Sequence, residues 1–115
     1  MISASRTILA QAYRELSTAP FPPCSEDDVG AELHADLVLY DSTAAGIVCS
    51  LLQGDCVPLE QISLDVDLLK RLTKIATAPD HPARRDAQRY IAYCDLVNRA
   101  LKAARSYVAT SDKQG

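Results

Sequence analysis

Asp28, Glu32 and Asp36 stand four residues apart in the stretch "SEDDVGAELHADLVLYD", so a helix would stack their carboxylates one above another. Such a ladder can hold Mg²⁺ through a few carboxylates plus phosphate and water, and helical nucleotide hydrolases use acids on two facing helices. The second contributor here would be Asp65 and Asp67. A plainer reading is a solvated acidic flank, with carboxylates favoured by the positive end of a helix dipole. The plainer reading is preferred, so the catalytic and metal assignments are none; the metal set Asp28, Glu32, Asp36, Asp65 and Asp67 belongs to an alternative, a Mg²⁺-dependent nucleotide hydrolase.

Other reactive residues point the same way. The chain has no Glu-x-x-His pair for a di-iron bundle, no Cys-x-x-Cys-His for haem, and no close Cys or His pairs for zinc, so no cofactor is expected. His34 has no carboxylate three or four residues away to orient it as a base and reads as a half-buried or surface histidine. Cys24 sits where a helix dipole would activate it, but Glu26, Asp27 and Asp28 oppose that effect. Cys24, Cys49, Cys56 and Cys94 are expected as free thiols in a cytoplasmic chain, because "TILAQAY" is too short and polar for an export signal.

The elements that would position these groups are helical. Ile8, Leu9, Ala12, Tyr13 and Leu16 recur every three to four residues and predict a first helix over about 4–18, ended by Pro20, Pro22 and Pro23. Ser25 with Asp28 reads as a capping box opening a second helix, whose seam is Leu33, Leu37, Tyr40, Ala44, Ile47 and Leu51 and whose stop is Gly54. One long helix is favoured, with a break at Asp41-Ser42-Thr43 left open. A short helical piece near 58–63 precedes a third helix to about Ala78, with Leu64, Leu68, Leu69, Leu72, Ile75 and Ala76 inward. A fourth helix, capped by Asp80 with Pro82 in its first turn, carries Ala87, Tyr90, Cys94, Val97, Leu101, Ala104 and Val108 on one face.

With 115 residues, 48% of them hydrophobic, the chain is expected to form a single helical domain spanning 1–115, with 1–3 and 109–115 frayed. Short loops between amphipathic helices predict an all-α fold: an antiparallel up-and-down four-helix bundle with one extra short helix. The longest uninterrupted apolar runs are too short to cross a bilayer, so no membrane partner is expected.

The net charge of −3 conceals a split. From Glu15 to Asp67 there are eleven acidic residues and no Lys or Arg, whereas from Lys70 onward there are ten basic and four acidic. The fourth helix interleaves Arg84, Arg85, Arg89, Arg99, Lys102 and Arg105 with Tyr90, Tyr93 and Tyr107, a composition that can grip nucleic acid. The cations spread over a wide arc of an acidic protein, and a solvated or internally paired face is the preferred reading. A protein partner is the expectation. Val38, Ala45 and Leu52 line up at sevens with Leu39 and Gly46 beside them, giving the second helix a second apolar face. That face, through Val38, Leu39, Ala45 and Leu52, is the expected binding surface of a non-enzymatic interaction module of regulator, adaptor or inhibitor type, self-associating as a homodimer.

Overall fold

The computed structural model describes residues 4–114. It contains α1 (Ala4–Thr18), α2 (Asp28–Leu52), a 3₁₀ turn (Leu59–Gln61), α3 (Val66–Ala76) and α4 (Arg84–Gln114), with no strand among the described residues. The fold is an all-α bundle in which α4 packs against each of the other three helices. Cross-contacts fix the directions. Arg6 of α1 reaches the Leu52 carbonyl at the end of α2, and Asp65 at the start of α3 meets Tyr40 while Arg71 meets Asp36, so both neighbours run antiparallel to α2. Gln88 near the start of α4 reaches the Ala76 carbonyl at the end of α3, and Arg105 farther along reaches Ile62 ahead of α3, so α4 runs antiparallel to α3 and the up-and-down order is complete. The 52 Å long axis is set by α4, whose 31 residues span about 46 Å at the helical rise.

The first helix has the expected bounds, with Leu9 and Leu16 buried. Ile8, expected inward, is instead 59% exposed. Prolines then end the helix and create a supply problem, since they offer carbonyls but no N–H groups. The bundle provides the donors: the Tyr90 hydroxyl donates to the Pro23 carbonyl at 2.8 Å, and His34 Nε2 donates to the Pro22 carbonyl at 2.9 Å. Phe21 packs edge-on to His34 and tilted against Tyr93, with ring centroids 5.2 and 4.7 Å apart. Thus His34 is a structural, half-buried residue that holds the loop.

The expected capping box at Ser25 and Asp28 is corrected. Asp27 is the cap, its carboxylate accepting the N–H groups of Val29 and Gly30 at 3.0 and 3.2 Å. Ser25 is buried instead, and its hydroxyl accepts the Asp27 N–H at 3.1 Å. Gly30 permits this turn, because a Cβ there would lie 2.3 Å from the Ser25 hydroxyl oxygen.

Once started, α2 is continuous through Asp41-Ser42-Thr43, which removes the two-helix alternative. Asp41 has no side chain to spare for capping, since its carboxylate accepts the Tyr93 hydroxyl at 2.9 Å. The buried seam runs Gly30, Leu33, Leu37, Tyr40, Ala44, Val48 and Leu51. Val48 therefore replaces Ile47, which is half-buried. The helix stops at Gly54, which takes φ +95°, with its N–H donating to Leu51 and that of Asp55 to Ser50. This is the double-bonded glycine stop that leaves few orphan carbonyls.

Asp65 caps α3 through the Leu68 N–H at 2.9 Å, and Leu68, Leu72 and Ala76 face inward. The Tyr40 hydroxyl joins three helices at that point, donating to Asn98 at 2.6 Å and accepting the Asp65 N–H at 3.0 Å. Ile62, after the 3₁₀ turn, is fully buried, and Arg105 of α4 donates to its carbonyl.

The start of α4 is later than expected. His81 Nδ1, not Asp80, accepts the Ala83 N–H at 3.0 Å, and the helix begins at Arg84. All seven expected inward residues, Ala87, Tyr90, Cys94, Val97, Leu101, Ala104 and Val108, are buried. Helix α4 is assigned to Gln114; the expectation of frayed ends concerns 1–3 and 115, which lie outside the described residues, and the final turns of this helix.

Candidate protein-binding surface

Because α2 buries one seam, the opposite side of the helix is presented to solvent. Its midline runs through Ala35, Leu39, Ser42, Thr43 and Gly46, all exposed. Leu39 is 68% exposed and Val38, on its flank, 41%. Nothing lies within 4 Å of where a Cβ would stand on Gly46. From Ser42 to Gln53 the helix carries no charge, while Asp28 and Glu32 stand exposed near its start.

The expected set is only partly gathered on this surface. Val38 and Leu39 are open, but Ala45 is half-buried, and Leu52 packs partly against the protein's own core. The reason is geometric. Residues spaced by seven drift about 20° per step around a straight helix, so the row from Val38 to Leu52 turns under the bundle. The exposed midline instead follows spacings of four and three, which brings in Ala35, Ser42, Thr43 and Gly46. Hydrophobicity alone hides those positions, because they are small or polar.

The carboxylate ladder is divided. Asp28 and Glu32 face solvent, and Asp65 is occupied in capping α3. Asp36 and Asp67 do converge, yet they converge on Arg71, at 2.8 and 3.0 Å. The chain thus supplies its own cation between the acidic starts of α2 and α3. Among the described residues no group of three or more His, Cys, Asp or Glu side chains is placed to hold a metal ion.

Buried polar groups are matched to one another. Burial pushes the Asp41 carboxyl above its ordinary range, against the Tyr93 bond that would lower it. Burial, with Asp41 adding to it, raises the Tyr93 hydroxyl, and burial pushes the Cys94 thiol up to about 11. The Asp41–Tyr93 pair is a hydrogen-bonded contact between buried Tyr93 and half-buried Asp41, joining α2 to α4. All four cysteines are free thiols, with Cys24 and Cys56 exposed.

Two shallow grooves flank α4. One, of about 470 Å³, lies against α1 with Ile8, Ala12 and Ala103 in its wall and Glu15, Arg99 and Lys102 at its rim. The other, about 490 Å³, is made by the proline loop with Tyr93 and Leu96 and carries Arg89. The aromatics that would stack on bases are not free to do so: Tyr90 and Tyr93 are buried, and Tyr107 is half-buried. Arg84 and Arg105 are turned to the carbonyls of Ala76 and Ile62.

Comparison with family models, curated proteins and solved structures finds no match.

By length and mean hydropathy α2 is also sufficient to cross a membrane, although its uninterrupted apolar runs are short. In the bundle seven of its residues form the core seam, while Asp36 and Asp41 are held by Arg71 and Tyr93.

Proposed function

We propose that this chain is a protein-binding helical module with no catalytic chemistry of its own, that the solvent face of α2 is its working surface, and that it self-associates. The observation that carries this reading is the exposure of Leu39, at 68%, beside Val38 on a helix side that stays uncharged from Ser42 to Gln53. A lone exposed Leu is ordinary in a soluble protein. Here it stands at the middle of a helix face with open space above Gly46 and no long charged side chain to cover it.

The enzyme alternative has less support, since Arg71 occupies the position between Asp36 and Asp67 that a metal would need. A cytoplasmic setting accompanies the binding reading: Cys94 lies alone in the core as a protonated thiol, suited to a compartment where thiols stay reduced. Sedimentation equilibrium tests the reading. The wild-type chain is expected to associate at high micromolar concentration, and Leu39→Glu to be monomeric there with unchanged helicity. A wild-type protein that stays monomeric throughout, together with no effect of Leu39→Glu on any captured partner, ends it.

A further inference from the structure

Resting on that reading of α2, we infer that the partner is a second copy docked antiparallel on α2 about a twofold axis at Ser42 and Thr43, with Leu39 of each copy seated over Gly46 of the other. Glycine inside a helix costs roughly 0.5–1 kcal/mol relative to alanine and is used where another backbone must come close. At Gly46 the packing of the fold gives no reason for it, because a Cβ there would meet no other part of its own chain within 4 Å. Seven residues before it stands Leu39, the most exposed large apolar side chain among the described residues. A knob and a gap on the same helix face, two turns apart, complement each other when the second helix is reversed, and only one register seats both knobs at once.

Charge selects the same direction. In a parallel pair Asp28 and Glu32 would face their own copies. In the reversed pair, with Leu39 over Gly46, Glu32 falls opposite Gln53, an exposed amide donor at the uncharged end of α2. Beside it Arg6 reaches the Leu52 carbonyl at 2.9 Å, so the end that receives Glu32 holds a cation alongside the exposed Asp55 carboxylate. The helix dipoles also oppose, which favours the antiparallel arrangement. At the axis the exposed hydroxyls of Ser42 and Thr43 meet, groups small enough to let two helix backbones approach and able to hydrogen-bond across the seam.

A swap of knob and gap tests the register. Four full-length proteins are compared by sedimentation equilibrium, with circular dichroism to follow folding: wild type, Leu39→Ala, Gly46→Leu, and the double variant. Removing the knob is expected to weaken association about tenfold or more, the scale of losing buried Leu contacts. Gly46→Leu, at an exposed position where a Cβ meets nothing within 4 Å, is expected to fold and to be monomeric at the concentrations where wild type pairs. The double variant, which presents its Leu at 46 and its small residue at 39, is expected to recover pairing to within a few-fold of wild type. If wild type pairs but Gly46→Leu pairs equally well, or if the double variant fails to recover, the register is wrong while self-association stands. If wild type does not pair at any concentration reached, self-association falls as well.

Discussion

Arg71 Nη1 donates to Asp36 Oδ2 at 2.8 Å, and its Nε donates to Asp67 at 3.0 Å, so one guanidinium from the basic half of the chain closes two carboxylates of the acidic half. The pair is well formed but shares water, with both side chains 39% exposed. Solvent screening therefore limits its worth, and Arg71→Ala is expected to cost about 1 kcal/mol or less in urea unfolding. The same geometry predicts that millimolar Mg²⁺ leaves the wild-type melting temperature unmoved in a thermal-shift titration, since a ligand of the folded form alone would raise it. A rise of several degrees would return weight to the hydrolase alternative.

Gly30 is where loop, α2 and the start of α4 crowd together: a Cβ would lie 2.3 Å from the Ser25 hydroxyl oxygen and 3.0 Å from the Ala83 methyl. Gly30→Ala is expected to destabilise by about 1–3 kcal/mol, the range for overpacking a closed site, despite alanine's better helix propensity. Gly46→Ala is the control, because it adds the same methyl in open space and is expected to be neutral or stabilising by up to about 1 kcal/mol in the monomer. Chemical denaturation of the two variants side by side separates packing from propensity.

Asp41 offers a pH test. Its carboxyl is raised above the ordinary 3.8 because burial disfavours the charged form more than the Tyr93 bond favours it. The stability it confers is present when it is protonated, below the ordinary carboxylate range, and is lost as pH rises through its raised value. An Asn at this position still accepts from Tyr93 and never ionises. The unfolding free energy of Asp41→Asn relative to wild type is therefore expected to move in the variant's favour between about pH 3 and pH 6. A flat difference across that interval would mean that Asp41 is as easily charged in the fold as in the open chain.

The thiols should differ sharply in reactivity. Cys94 is fully buried, and its thiol is pushed up to about 11, so almost none of it is thiolate at neutral pH. With iodoacetamide and mass spectrometry, Cys24 and Cys56 are expected to be alkylated first, half-buried Cys49 more slowly, and Cys94 only in denaturant. Labelling of Cys94 at the rate of Cys56 in the native protein would require the core around Tyr90 and Val97 to open far more often than this packing allows.

Periodicity made the helices legible. Every inward position named on α4 is buried, because a six-turn stripe at spacings of three and four leaves little freedom about which side faces the core. The bounds of α1 were as clear, since three prolines fix its end. Less legible were the points decided by three-dimensional reach. Ser25, Asp27 and Asp28 can all cap a helix by type, and the choice of Asp27 follows from Gly30 admitting Ser25 to the interior. His81 replaces Asp80 for a similar reason, its ring nitrogen falling in line with the Ala83 N–H. On the solvent side of α2, exposed Leu39 and Val38 could be read from hydropathy, but the slow rotation of a seven-residue row leaves Ala45 and Leu52 half-buried. Gly46 carries its meaning in empty space, which has no letter in a sequence.

The proline loop between α1 and α2 has a dynamic consequence. Its carbonyls at Pro22 and Pro23 hang from a side chain of α2 and one of α4, so the loop is anchored only when both long helices are in place. In native-state hydrogen exchange, the amides of α1 are then expected to open together with those of Cys24 to Gly30 as one cooperative block, and Tyr90→Phe should loosen that block while leaving α3 protected. The molecule would behave less like four equal rods than like a latched lid, with α1 as the panel and a tyrosine as its catch.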